Sequence, residues 1–291
     1  MIYHVLHTTR YDYDEPVTAS YAKLHQLPGD VDGQRCLERS IITEPSSTHQ
    51  RLYDDFHGNT TAVLEVLEPH TTLMVHSTSI VDTSARSVKF PASALAPWDT
   101  YTAAKLNDSE LAAAEFAMDS PAITRGPRFA SYAAPDFGPG VSLAAGVLAL
   151  NHRIHSEFTF DAEATEVDTT LLESFERRRG VCQDFTHVMI ACLRSIGLAA
   201  CYVSGYLETI PPPGQERLTG ADRTHAWVGV YCGGNTWVGV DPTNDQLAGP
   251  RYITTARGRD YGDVPPMKGV IFTNAETSTL TVSVDVAPTD R

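Results

Sequence analysis

The stretch Arg178-Arg179-Gly180-Val181-Cys182-Gln183-Asp184-Phe185 runs directly into Val188, Met189, Cys192, Leu193 and Ile196. Counted from Phe185, these apolar residues recur at i, i+3, i+4, i+7, i+8 and i+11, which is one face of an α-helix. Gly197 supplies its stop. Cys182 is therefore expected at or just before the helix N-terminus. Unpaired backbone N–H groups and the positive end of the helix dipole favour an anion over a neutral thiol there. The thiolate is the reactive form of cysteine, so the stretch that forms the helix also places a candidate nucleophile at its start.

Two strand-like runs follow the helix and carry the partners such a nucleophile needs. The first, Thr224 to Tyr231, has His225 near its start; the second, Thr236 to Asp241, ends on a carboxylate. An imidazole can take and return a proton, and a third group can fix its tautomer. Cys232-Gly233-Gly234-Asn235 between the runs is a hairpin turn signal. If Tyr231 pairs with Asn235 across a three-residue loop, His225 lies opposite Asp241 and their side chains share a face. A loop of even length would send them to opposite faces, because side chains alternate along a strand. The arrangement thus predicts an odd loop or a bulge, with Gly234 in the left-handed position. Taken singly, each residue has an ordinary explanation. A cysteine ahead of an amphipathic helix is commonly a packed thiol, a histidine beside Trp227 in a strand is commonly packing, and Asp before Pro commonly ends a strand. Their order and the shared hairpin favour catalysis, while Cys192 and Cys201 are assigned to the core.

Outward from this centre, Ala199 to Leu207 reads as another strand. A polar, Pro-rich loop from Thr209 to Asp222, holding Pro211-Pro212-Pro213-Gly214, is expected to rim the cleft. Helices are predicted over Leu106–Ala117, Ser142–Phe158 and Thr170–Arg178. From Ile2 to about Val81, short apolar or alternating runs are separated by the turn signals Asp14-Glu15-Pro16, Pro28-Gly29-Asp30, Glu44-Pro45 and Gly58-Asn59, which reads as β-rich. The passage Thr83 to Trp98 has no sustained period and marks a boundary. The expected units are a β-rich domain over 1–98, a core over 99–265 and a tail over 266–291. In the tail, Leu280–Val286 alternates and is expected to add a strand to the first domain.

The composition, 42% hydrophobic and 20% charged over 291 residues, is ordinary for a globular chain. Acidic residues exceed basic ones by 14. Such a surface should repel nucleic acid and anionic membranes, so neither is expected as a partner. Met-Ile-Tyr-His-Val-Leu-His carries no basic start followed by an apolar stretch, and no run reaches the ~18 apolar residues of a membrane span. The five cysteines are odd in number and lack zinc-site spacing. Reduced thiols and a cytoplasmic location are expected. No cofactor is expected. His152 and His155 are spaced to share a metal from one helix face, but no third ligand presents itself. No loop has the dense oxygen ligands of a calcium site. The sequence does not specify an oligomeric state.

Several motifs carry a family resemblance: Gly180-Val-Cys-Gln-Asp-Phe185, Tyr202-Val-Ser-Gly-Tyr206, Thr224-His-Ala-Trp-Val228 and Trp237-Val-Gly-Val-Asp-Pro-Thr243. Together they resemble the bacterial transglutaminase-like family, often described as transglutaminase-like cysteine proteases. The likeness extends to Gly258–Pro266. Tyr11-Asp-Tyr13 with Pro16-Val17 resembles the β-rich N-terminal region such proteins carry. The resemblance implies an α+β fold: a papain-like, transglutaminase-like core with the nucleophile-bearing helix packed on an antiparallel sheet, beside a β-rich N-terminal domain. It also implies a Cys182–His225–Asp241 triad that cleaves a peptide or glutamine side-chain amide through a Cys-linked acyl-enzyme. Hydrolysis is the favoured outcome. The alternatives are transfer of the acyl group to an amine acceptor, and a non-catalytic peptide-binding module on the same fold. The backbone N–H groups of Cys182 and Gln183 are candidate oxyanion donors, and the Gln183 side chain is a further candidate. Asp184 is read first as an acid suited to the helix dipole and second as a substrate contact. Trp227 is a candidate substrate contact.

Overall fold

The computed structural model describes residues 1–161, 169–210 and 222–289. The Pro-rich passage 211–221, to which the cleft rim was assigned, lies outside them. The N-terminal sheet is built on one long strand, β1 (Ile2–Leu24), joined by β2 (Arg35–Glu44), β3 (His49–Asp54), β4 (Thr60–Val66) and β5 (His70–Asp82) in the order β2-β5-β1-β4-β3. Burial alternates along β1 and β5, as expected of strands with one face on a core. Asp14-Glu15-Pro16, read from the sequence as a turn, lies inside β1. Its pairing with β5 shifts register between Asp12 and Val17, so the chain bends without reversing. Proline offers no N–H to a ladder but is tolerated at such an irregularity.

The second half of the chain alternates short helices and strands. It begins with α1 (Leu111–Ala114), α2 (Pro127–Ala133), α3 (Leu143–Glu157), β6 (Thr159–Phe160), α4 (Leu171–Arg177), β7 (Arg179–Gly180) and α5 (Cys182–Ser195). It continues with β8 (Ala200–Leu207), β9 (Arg223–Tyr231), β10 (Trp237–Asp241), β11 (Gln246–Leu247) and β12 (Tyr252–Gly258). Ser142 caps α3 by accepting from Ala145 N, and Thr170 with Glu173 forms a capping box on α4. The helix expected over Leu106–Ala117 is instead a chain of 3-10 turns around the four-residue α1. Glu110 explains the break. Its carboxylate accepts from Asn107 Nδ2, the Tyr231 hydroxyl and Gly234 N, tying the segment to the β9–β10 turn. α2 opens on Pro127 and has no counterpart in the sequence reading.

Strands β8 to β12 form one antiparallel sheet in the order β11-β10-β9-β8-β12. Its two faces carry different cores. α5 covers the face bearing Ala200, Tyr202, Ala226, Val228 and Val230. The opposite face presents Cys201, Val203, Trp227 and Tyr231 to Ala113, Phe116 and Ala117. The C-terminal end of α5 is anchored by Arg194, 1% exposed, which donates to the carbonyls of Met118, Ala200 and Arg259.

The tail forms β13 (Met267–Thr273) and β14 (Ser278–Pro288), and both pair antiparallel with β1. β14 also meets the core: Val286 N donates to Asp222 Oδ2 at 2.7 Å, ahead of β9. Tyr3, Val5, Val81, Tyr206, Ile253, Val284 and Val286 form a shared apolar cluster, and the Tyr206 hydroxyl donates to Gln26 O. Among the described residues, no helix is long and apolar enough to cross a membrane.

The packing of β8 against β12 leaves no room at Gly205. A Cβ there would lie 2.1 Å from Ile253 O and 2.6 Å from the Trp227 ring. Gly205→Ala is therefore expected to lose ~1–3 kcal/mol of stability. A urea denaturation midpoint equal to that of the unsubstituted protein would show that the two strands are less tightly packed than described.

Candidate active site

The β9–β10 turn sets the geometry of the site. Cys232 N donates to Thr236 O at 2.9 Å and Thr236 N to Gly233 O at 2.9 Å. Gly234 and Asn235 between them have φ of 57° and 59°, the paired positive values of a type I′ turn. The loop is odd in length, Gly233 to Asn235, but the pairing is slipped relative to the expected one: Tyr231 faces Trp237, and Val228 faces Val240. His225 is therefore not opposite Asp241. Continued by one residue, the register puts Asp241 across from Trp227, so His225 and Asp241 are diagonal neighbours on the same face. Diagonal pairs remain within reach of long or ring-bearing side chains. His225 Nε2 lies 2.7 Å from Asp241 Oδ2.

Asp241 is wholly buried, and five donors surround its carboxylate. Oδ2 accepts from His225, from the Tyr252 hydroxyl at 2.7 Å and from Asn244 Nδ2 at 2.7 Å; Oδ1 accepts from the backbone N–H of Thr243 and Asn244. Burial alone would raise the pKa of this acid. The hydrogen bond and charge of His225, with the hydrogen bonds from Tyr252 and Asn244, instead hold it below the ordinary aspartate value. Burial would likewise lower the His225 pKa, but its hydrogen bonds with Asp241 and Cys182, and their charges, push it up to about 10.

Cys182 is the first residue of α5, half-buried and not in a disulfide. Its neighbours hold the turn in place. Asp184, buried beneath it, accepts from Val181 N at 2.8 Å and from the Ser174 hydroxyl at 2.9 Å. The Asp184 carboxylate is thus turned into the fold as a cap. Gly180 makes room for it: a Cβ there would meet Asp184 Oδ2 at 2.4 Å. Gln183 is partly exposed, beside Cys182. Trp227, 1% exposed, stacks on His225 with ring centroids 6.2 Å apart. It supports the imidazole from within the core.

Three contributors are absent from the sequence reading. Asn244 could have been suspected, because an aspartate ahead of Pro-Thr-Asn commonly bonds the backbone two residues on. Tyr252 had no local signal, since it reaches Asp241 from β12. Tyr202 lies in the α5-side core against which Cys182 packs, and burial, followed by the charge of Cys182, raises its hydroxyl pKa well above the ordinary value. His152 and His155 serve the site indirectly. Nδ1 of His152 lies 2.7 Å from Asp245 Oδ2, Nδ1 of His155 donates to Thr243 O, and Asn151 donates to Asp245 Oδ1. α3 thus clamps the loop that follows Asp241. Among the described residues, no group of three or more His, Cys, Asp or Glu side chains could hold a metal ion.

Comparison with known proteins gives this arrangement a context. The family described as the bacterial transglutaminase-like N-terminal region matches residues 3–82, and the transglutaminase-like superfamily matches 136–242. An uncharacterized protein of Mycobacterium tuberculosis is 45% identical over 98% of this chain and 92% of its own length. A protein-glutamine gamma-glutamyltransferase of Pseudomonas aeruginosa is 31% identical over 36% of this chain and 16% of its own. A solved structure of a proposed cysteine protease from Cytophaga hutchinsonii superposes with a TM-score of 0.76 at 23% identity, covering 100% of this chain and 92% of that one. It shares the fold.

Two outcomes follow from the site's electrostatics. The raised His225 value makes its contribution to stability complete below its ordinary 6.5, lost as pH rises through about 10. The lowered Asp241 value makes its contribution present above 3.8 and lost in acid. The stability lost in Asp241→Asn should therefore be greatest between these limits and shrink as pH climbs toward 10, read from denaturation midpoints. A difference that grew with pH would contradict the sign. Asp184→Ala leaves Val181 N–H and the Ser174 hydroxyl without their acceptor and should cost ~1–3 kcal/mol. An unchanged thermal midpoint would show that this cap contributes nothing.

Proposed function

Because the chain belongs to the transglutaminase-like superfamily, we propose that it is a thiol-dependent acyl-transfer enzyme in which Cys182, His225 and Asp241 act together on an amide. The reading rests chiefly on one observation: His225 Nε2 lies 2.7 Å from the buried Asp241 carboxylate, and Asp241 together with Cys182 raises the imidazole pKa. The Cys182 thiolate attacks the amide carbonyl carbon, and His225, holding the former thiol proton on Nδ1, gives it to the departing nitrogen as the C–N bond breaks. Asp241 stays ionised and accepts a hydrogen bond from Nε2–H throughout, fixing the tautomer and stabilising the imidazolium. The first backbone N–H groups of α5, at Cys182 and Gln183, have no partner within the helix and suit the oxygen anion of the tetrahedral intermediate. Water then releases the acid.

A peptide bond or a glutamine side-chain amide is the substrate class. The name of the Pseudomonas aeruginosa relative favours the glutamine amide and keeps amine transfer as the second reading, in which an amine replaces water at the same acyl-enzyme. A reducing compartment such as the cytoplasm suits the five cysteines, all of them free.

Cys182→Ala should abolish covalent labelling by a limiting thiol alkylator and turnover of an amide substrate, while the far-UV spectrum stays unchanged. Turnover surviving in that variant would end the proposal. Asp241→Asn should fold and lose about 10⁴ in kcat, the scale seen when the orienting carboxylate of a triad is neutralised. Adding a primary amine to the assay separates the two outcomes by mass: a product carrying the amine means transfer, and free acid alone means hydrolysis.

A further inference from the structure

A cavity of about 740 Å³ lies away from Cys182, where the loops at 31–33 and 85–92 cross the face of the β8–β12 sheet that α5 does not cover. Neither Cys182 nor His225 lines it. Its buried side is Cys201, Val203 and Trp227, with Trp237 and the paired glycines Gly229 and Gly239 beside them. This wall is apolar, and the two glycines leave it flat.

The charged residues lining the cavity are Arg86, Lys89, Arg257 and a single acid, Asp32. In a chain with 14 excess negative charges, three cations gathered against one acid stand out. Elsewhere in the described residues arginines are paired with carboxylates, as Arg10 is with Asp12 and Arg259 with Asp263. Among the described residues, Arg86, Lys89 and Arg257 have no carboxylate within ion-pair distance. Arg86 is held in place by bonds from Nη2 to Gln34 Oε1 at 3.1 Å and Thr254 Oγ1 at 2.9 Å, while its buried Nε has no partner. Burial, only partly offset by Asp32, lowers its pKa to about 10. A guanidinium that is buried and lacks a counter-ion favours the arrival of an anion. Pockets of this size, apolar with a few converging polar groups and set between two packed units, are the common form of small-molecule sites.

We propose that this cavity binds a small organic acid, a carboxylate on a planar apolar body. The carboxylate is taken by Arg86, Lys89 and Arg257, and the apolar body lies against Val203, Trp227 and Trp237. The site is separate from the chemistry at Cys182 and does not depend on it. Its one structural link is Trp227, which lines the cavity and also stacks on His225.

The test is calorimetric titration of the full chain with 2-naphthoate, and with 2-naphthalenemethanol as a neutral body of similar shape. The acid should bind with a Kd below about 1 mM, and the alcohol at least tenfold more weakly. Lys89→Glu, on the exposed side of the cavity, should weaken the acid at least tenfold. Ala92→Trp, which fills the opening, should do the same. Lys268→Glu, the same charge change on β13 away from the cavity, should leave the affinity unaltered. Absence of binding to the unsubstituted protein, equal binding of acid and alcohol, unaltered binding in Lys89→Glu, or equal loss in Lys268→Glu would each overturn the proposal. Because the readout is heat of binding, a protein without amidase activity would still give a clear answer.

Discussion

A carboxylate removed from water has to be surrounded by donors, and Asp241 is wholly buried with five of them. The donors come from separate parts of the chain: the imidazole from β9, the phenol from β12, the amide and two backbone N–H groups from the loop after β10. Each has to be delivered to within hydrogen-bonding distance at once. The register of the β9–β10 hairpin, the position of β12 on the far edge of the sheet, and the clamp of Asn151, His152 and His155 on the loop all serve that requirement. A hydrogen bond to a charged group in a low-dielectric interior is worth more than one in water, and an unmade one costs correspondingly more. The fold around Asp241 is therefore constrained more tightly than its surface loops.

The nucleophile is fixed by an independent set of contacts. Asp184 reaches back to Val181 N and sideways to Ser174, and Gly180 lets it approach. Arg194 anchors the other end of the same helix to three carbonyls. The helix start that carries Cys182 and the strand that carries His225 are thus positioned by different residues, and they meet because α5 packs on the sheet through its apolar face. The apolar periodicity that makes α5 a helix also determines where its first residue lies.

The core sheet is consequently two-sided in character. One face is covered by α5; the other carries Trp227, the support of His225, and opens on a cation-lined cavity bounded by loops from the N-terminal half of the chain. The N-terminal sheet does more than sit beside the core. Its long β1 gathers the tail strands, β14 reaches Asp222 ahead of the His225 strand, and the Gln34 amide bonds backbone groups of Gly29 and Thr254 from the two halves.

How much of this could be read in advance depended on range. Where the physics is local, the sequence is explicit. A 3.6-residue period ending at Gly197 specifies α5, Ser142 and the Thr170/Glu173 pair specify two helix starts, and the Cys232-Gly-Gly-Asn235 turn signal marks the hairpin between the strands that carry His225 and Asp241. The local signals failed where a distant partner competed. Glu110, drawn to Tyr231, broke a run that looked helical, and Asp14-Glu15-Pro16 became a bend within β1 because the strand pairs with its neighbours on both sides of it, up to Tyr13 and again from Val17. The hairpin register was decided by the two-residue slip that sets Tyr231 against Trp237, which no count of loop residues determines. Tyr252, Tyr202 and the clamp from α3 are contacts between residues far apart in the chain, and only tertiary packing brings them together. By itself, the sequence determined the candidate nucleophile, base and orienting acid and the elements that bear them. The burial of the acid, the supply of its five donors and the gathering of three cations around a cavity were decided by the tertiary structure, because each depends on groups that are neighbours in space and not in sequence.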